Sequence, residues 1–142
     1  MNATARIFVA DRAEVHSTLL NSLTGYEVVT TDTFETALER LTENFDLIIC
    51  GVHFADSRMV DLLSAARRSS LHKHTPFVVF RGLHTDNVEL LRRSIKPLIE
   101  TFELGPYLEF DSFNKNTAGK DLRERIEKLL PSAKVLPALT ER

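Results

Sequence analysis

Short β-branched and aromatic runs recur along this chain at intervals that leave room for one helix between each pair. The central run, Asp46 to Val52 (DLIICGV), has no polar alternation, which is how a strand covered on both faces reads. Around it stand Arg6 to Ala10 (RIFVA), Tyr26 to Thr30 (YEVVT), Pro76 to Phe80 (PFVVF) and Tyr107 to Phe110 (YLEF). Between them, apolar residues keep helical spacing. Val15, Leu19, Leu20 and Leu23 form the first such set, and Phe34, Ala37, Leu38 and Leu41 the second. A third helix near Arg58 to Ser69 turns Val60, Leu63 and Ala66 inward. Val88, Leu91, Ile95, Leu98, Ile99 and Phe102 mark a fourth, and Leu122, Ile126, Leu129 and Leu130 a fifth. Asp11 with Glu14, and Asp32 with Glu35, have the spacing of capping boxes, and Thr85/Asp86 cap the fourth helix. Pro97 predicts a kink or a split in that helix, because it lacks the N–H and clashes one turn back.

Strands alternating with helices in this way predict a parallel sheet with helices on both faces. Ligands of such sheets sit at the carboxyl ends of the strands. The positions to weigh are therefore Asp11, Arg12, Gly51, Arg81 and the end of the fifth strand. Residues 1–130 make one domain, on the usual prior for a chain of 142 residues. Residues 131–142 contain two prolines and little periodicity, and read as a loose tail.

Composition excludes more than it suggests. The net charge of −2, from 18 basic and 20 acidic side chains, offers no field to attract nucleic acid or an anionic membrane. A single Cys rules out an internal disulfide and a cysteine metal cluster. No apolar run approaches the roughly 18 residues of a spanning helix. The amino-terminal stretch meets a charge too early for a signal peptide, so a cytoplasmic location is expected. Cys50 lies in an apolar strand as an inert thiol, with no His and acid spaced to activate it. Neither GxGxxG nor GxxxxGK[ST] occurs. Composition itself says nothing about activity, and these motifs give no reason to expect an enzyme, a cofactor or a metal.

RIFVADRAEV, DLIICGVHFADSRMVDLLSAAR and TPFVVFRG together resemble the receiver domain of bacterial response regulators, the CheY-like family. The resemblance spans about residues 5–130 and rests on element order and spacing more than on identities. It implies a flavodoxin-like, doubly wound sheet of five parallel strands in the order 2-1-3-4-5, here with an extended or kinked fourth helix. It also implies a site. In that family the first strand ends in an acidic pair that holds Mg²⁺, and the third in a phosphoryl-accepting Asp. The fourth ends in Thr or Ser, and the fifth in Lys.

Carried over residue by residue, most of this site is missing. Asp11 keeps the first acid, but the second falls on Arg12 and the acceptor on Gly51. The hydroxyl position falls on Arg81, followed by a compatible Gly82. The Lys position falls on Phe110 or Asp111 counted along the strand, or on Lys115 counted back from Leu122. Ala55 and Met59 stand where the family has Pro and Gly. Acyl-phosphate formation needs a carboxylate nucleophile and a cation, and Mg²⁺ prefers carboxylates and water. A guanidinium about 4 Å from that cation would cost on the order of 4 kcal/mol at an effective dielectric of 20. The expectation is a degenerate receiver without a phospho-acceptor. Restoring it would take at least Gly51→Asp and Arg12→Asp.

Local alternatives stay open. Asp11 is either a helix cap or a relic cation ligand, and the capping box favours the cap. Arg81 either pairs with Asp11 in the vacated site or is solvated at its strand end. His53 and Asp56 are weak candidates for a substitute acceptor. His72-Lys73-His74, Arg67-Arg68 and Arg92-Arg93 read as solvated surface. The function implied is a phosphorylation-independent module of two-component phosphorelay signalling, binding a signalling protein or a second copy. Leu90, Leu98 and Tyr107 would form its apolar contact face, with a homodimer favoured. A receiver with a displaced acceptor is the alternative, and a small flavodoxin-like ligand binder or enzyme a distant one.

Overall fold

The computed structural model describes residues 4–137. Five parallel strands form one sheet in the order β2-β1-β3-β4-β5: β1 Arg6–Ala10, β2 Glu27–Thr31, β3 Leu47–Gly51, β4 Phe77–Arg81 and β5 Tyr107–Glu109. Helices α1 Ala13–Ser22, α2 Phe34–Arg40, α3 Met59–Arg68, α4 Val88–Phe102 and α5 Ala118–Glu127 connect and cover them. The doubly wound sheet and its strand order agree with the fold expected above.

The apolar runs lack alternation because both sheet faces are buried. Ile7, Val9, Leu47, Ile49, Val78 and Phe80 enter one core, with Val15, Leu19, Leu122 and Ile126 of α1 and α5. Phe8, Ala10, Ile48, Cys50, Phe77 and Val79 enter the other, with residues of α2, α3 and α4. Side chains alternate between faces at period 2, yet residues 7–10, 47–50 and 77–80 are apolar at every position.

Local details differ from the sequence reading. Asp11 is not the cap of α1. That position is Arg12, with no side-chain capping bond. Thr33, not Asp32, caps α2, its hydroxyl accepting from the Thr36 amide at 3.3 Å. Asn87, in a left-handed conformation, precedes α4 in place of the Thr85/Asp86 cap. In α3 the inward residues are Met59, Leu62, Leu63 and Ala66, while Val60 is exposed. Pro97 does not split α4, which runs unbroken for 15 residues. Pro97 and Arg93, whose carbonyl loses its partner, both lie on the exposed side of the helix.

Residues 131–137 are not loose. Ser132–Lys134 form a 3-10 turn, and the Lys134 carbonyl accepts from the Ala5 amide at 3.2 Å. Lys134 Nζ also pairs with Asp46 at 2.9 Å, and the Leu136 amide donates to the Tyr26 hydroxyl at 2.9 Å. Residues 138–142 of the expected tail lie outside the described residues. No helix among the described residues is long and apolar enough to cross a membrane.

Candidate functional site

The carboxyl ends of β1, β3, β4 and β5 bring Asp11, Gly51, Arg81 and Glu109 to one end of the sheet. Asp11, just after β1, is only 2% exposed. Its Oδ1 accepts from the Arg12 amide at 2.7 Å, whereas its Oδ2 is buried with no partner. The reason for this placement is Gly51. A Cβ built there would stand 2.0 Å from both Cγ and Oδ1 of Asp11, and 2.2 Å from Oδ2. The carboxylate therefore fills the space that a side chain at the end of β3 would take. Burial pushes its pKa up to about 6, only partly opposed by the bond from the Arg12 amide and by the nearby His16 and Arg12 side chains. Arg12 turns outward, donating to Glu14 at 2.9 Å.

This donor set does not suit a divalent cation. Mg²⁺ requires several oxygen ligands in near-octahedral array. Here one enclosed carboxylate stands beside a glycine, and the position of the second acid carries the guanidinium of Arg12. Among the described residues no group of three or more His, Cys, Asp or Glu could hold a metal ion.

Arg81 is buried, at 5% exposed, and its partner is not Asp11. The parallel register sets Arg81 opposite Glu109. Its Nε donates to Glu109 Oε2 at 3.3 Å, Nη2 to both Asp111 oxygens at 2.8 and 2.9 Å, and Nη1 to the Leu83 carbonyl at 3.2 Å. Glu109, 7% exposed, receives more donors. Arg92 of α4 reaches it through Nε at 3.0 and 3.2 Å and through Nη2 at 2.8 Å. The Tyr107 hydroxyl donates at 2.8 Å and Ser112 at 3.4 Å. The Arg92 bonds, joined by those of Tyr107 and the charge of Arg81, outweigh burial and hold the Glu109 carboxyl down at about 2. Burial, then the bond to Glu109, pushes Tyr107 up to about 12.

The fifth strand thus ends in a carboxylate, the opposite charge to the family's Lys. Phe110 and Asp111 lie beyond it in a 3-10 turn. Lys115 is exposed and makes no ion pair among the described residues. Glu109 was missed by sequence reasoning, and Arg92, read as solvated surface, is instead bound to it. The available signal was an acid between apolar residues in a strand, which demands a cationic partner once buried.

Other expectations change as well. His53 pairs with the Thr85 hydroxyl at 2.7 Å, joining the loops after β3 and β4, and burial lowers its pKa. Asp56 lies in an exposed loop with Ala55 and Ser57, all at positive φ. His72 is not solvated but fully buried. Its Nε2 donates to the Glu43 carbonyl at 2.8 Å, leaving Nδ1 to accept from Thr75 at 2.9 Å in the neutral ring. Arg67 is not a solvated charge either. It donates to the carbonyls of His72, Thr75, Phe102 and Glu103.

The three residues of the expected contact face differ in their surroundings. Leu98 is half-buried against the second core, Tyr107 is bound to Glu109, and Leu90 is 60% exposed. Gly82 has a packing role. A Cβ there would lie 2.8 Å from both Phe80 Cε2 and Val15 Cγ1. Gly82→Ala is expected to cost about 2 kcal/mol through overpacking, read as a lower urea midpoint. An unchanged midpoint would show that this contact relaxes freely.

No protein-family model matches the sequence, and neither does any curated protein. Solved structures do match. The phosphorylated cyanobacterial phytochrome response regulator RcpA superposes with a TM-score of 0.65 at 20% identity, over 96% of this chain and 100% of its own. Vibrio cholerae chemotaxis protein CheY4 gives 0.68 at 22%, over 90% of this chain and 100% of its own. A CheY-like response regulator receiver domain protein from Methanospirillum hungatei gives 0.67 at 23%, over 89% and 94%. The class defined by these likenesses is the CheY-like receiver fold, and this chain has that fold along nearly its whole length.

Proposed function

We propose that this chain is an atypical receiver domain of two-component signalling that acts by binding a protein partner, without taking up a phosphoryl group. It is not an enzyme on this reading, and its place is the cytoplasm. The observation that carries the reading is the Asp11 carboxylate lodged against Gly51. Acyl-phosphate formation needs an accessible carboxylate oxygen and a counter-cation for the phosphoryl oxygens. No side chain projects from Gly51, and Asp11 is enclosed with no second acid beside it at Arg12. The partner is a signalling protein or a second copy of the chain.

Incubation with acetyl phosphate and Mg²⁺, followed by intact mass measurement, tests the reading. The expected result is no change in mass. A base-labile gain of one phosphoryl group on any Asp would overturn it in favour of a receiver with a displaced acceptor.

A further inference from the structure

α4 is loosely anchored for its length. Among its apolar residues only Ile95 is fully buried, and Pro97 removes one of its internal hydrogen bonds. It starts after Asn87 and ends before Glu103, both in the left-handed region and without a side-chain cap at the start. Leu91, Leu98, Ile99 and Phe102 are partly buried against the second core, and two polar clamps add to that packing. At its carboxyl end Arg67 of α3 binds the carbonyls of Phe102 and Glu103. At its amino-terminal half Arg92 grips Glu109 of β5 with two nitrogens. Glu109 also binds Arg81 of β4, and Arg81 in turn fixes Leu83 and Asp111 in the loops after β4 and β5.

We propose that Glu109 is a conformational lock: by engaging Arg92 and Arg81 together, it holds α4 and the two neighbouring loops in one arrangement without any bound ligand. The chemistry favours permanence. Both guanidinium groups stay charged at any physiological pH, and charge-assisted bonds to an enclosed carboxylate are the strong kind. An equilibrium shifts only when a ligand prefers one of two states, and a lock within the chain leaves one state to prefer. The α4–β5 face would then meet its partner unconditionally. Only that last consequence rests on the function proposed above; the lock is a property of the chain alone.

Hydrogen exchange on the full chain, read by mass spectrometry, tests the lock. Arg92→Met changes a half-exposed residue and is expected to speed exchange of amides 88–96 by about tenfold, the effect of losing one charged contact. Amides of β1 and β3 should keep their wild-type rates. Glu109→Gln is expected to act on the same amides and to loosen residues 82–87 and 110–114 too. Exchange of α4 within about twofold of wild type in Arg92→Met overturns the lock. So does a rise spread evenly over all strands, which would mean the network supports the whole fold and no particular face. Phosphoryl uptake is measured separately by mass, so failure of the lock and failure of the functional reading are distinct outcomes.

Discussion

Gly51→Asp is expected to destabilise the domain by about 3 kcal/mol, the upper part of the overpacking range. The new side chain must enter space already filled by the Asp11 carboxylate, 2.0 Å from the first added atom. Two carboxylates forced together cannot both ionise at low cost, so the loss should deepen as pH rises. Adding Asp11→Ala to the same chain vacates the space and should recover stability to within about 1 kcal/mol of wild type, a coupling typical of contacting residues. Urea unfolding of wild type, the single variants and the double variant measures this. A double variant no more stable than Gly51→Asp alone would show that the two positions do not compete for space. The same geometry revises what restoring an acceptor requires: Gly51→Asp with Arg12→Asp is insufficient while Asp11 occupies the notch.

The second large effect is a pH dependence set by Asp11. Its pKa is pushed up to about 6 in the folded chain, against about 3.9 when unfolded. Between these values the folded state binds the extra proton. Stability is therefore greatest below the unfolded value and falls as pH rises through about 6. The loss amounts to about 3 kcal/mol by pH 8, at about 1.4 kcal/mol for each unit of difference. Asn at this position cannot ionise. The stability difference between wild type and Asp11→Asn should change by that amount between about pH 4 and pH 8, in favour of Asn at the higher pH. A difference that stays constant across this range would mean that the Asp11 carboxylate is solvated or paired.

Much of the architecture was legible because two-sided burial leaves a local trace. DLIICGV could be read as the sheet centre since every residue of β3, Leu47 to Gly51, is buried. Helix faces were legible to within a residue. Val60 failed because the buried stripe of α3 runs through Met59, Leu62, Leu63 and Ala66, and one residue of phase moves a side chain by about 100°. Caps were less legible. Asp11, Asp32 and Asp86 each had the chemistry of a cap, and each lost to a neighbour or to a different use. Capping residues compete over very small differences in local geometry, which the position of the strand before them decides.

The absence of a side chain at the end of β3 was visible in the sequence, since residue 51 is Gly. What fills the space was not visible. Asp11 and Gly51 are 40 positions apart in sequence, and they meet only because β1 and β3 pair in parallel with their carboxyl ends together. The same holds for Arg81. Its type and its place at a strand end were readable, and pairing with Asp11 was as reasonable as solvation. The β4–β5 register instead set it across from Glu109, and α4 delivered Arg92 to the same carboxylate. His72 and Arg67 looked like surface charges because residue type reports preference for water, not access to it. The sequence by itself determined the layered sheet and the side-chain-free end of β3 at Gly51, because both follow from periodicity and residue identity. Only the tertiary structure decided which charge meets which, because a buried ion pair depends on the positions of strands and helices far apart along the chain.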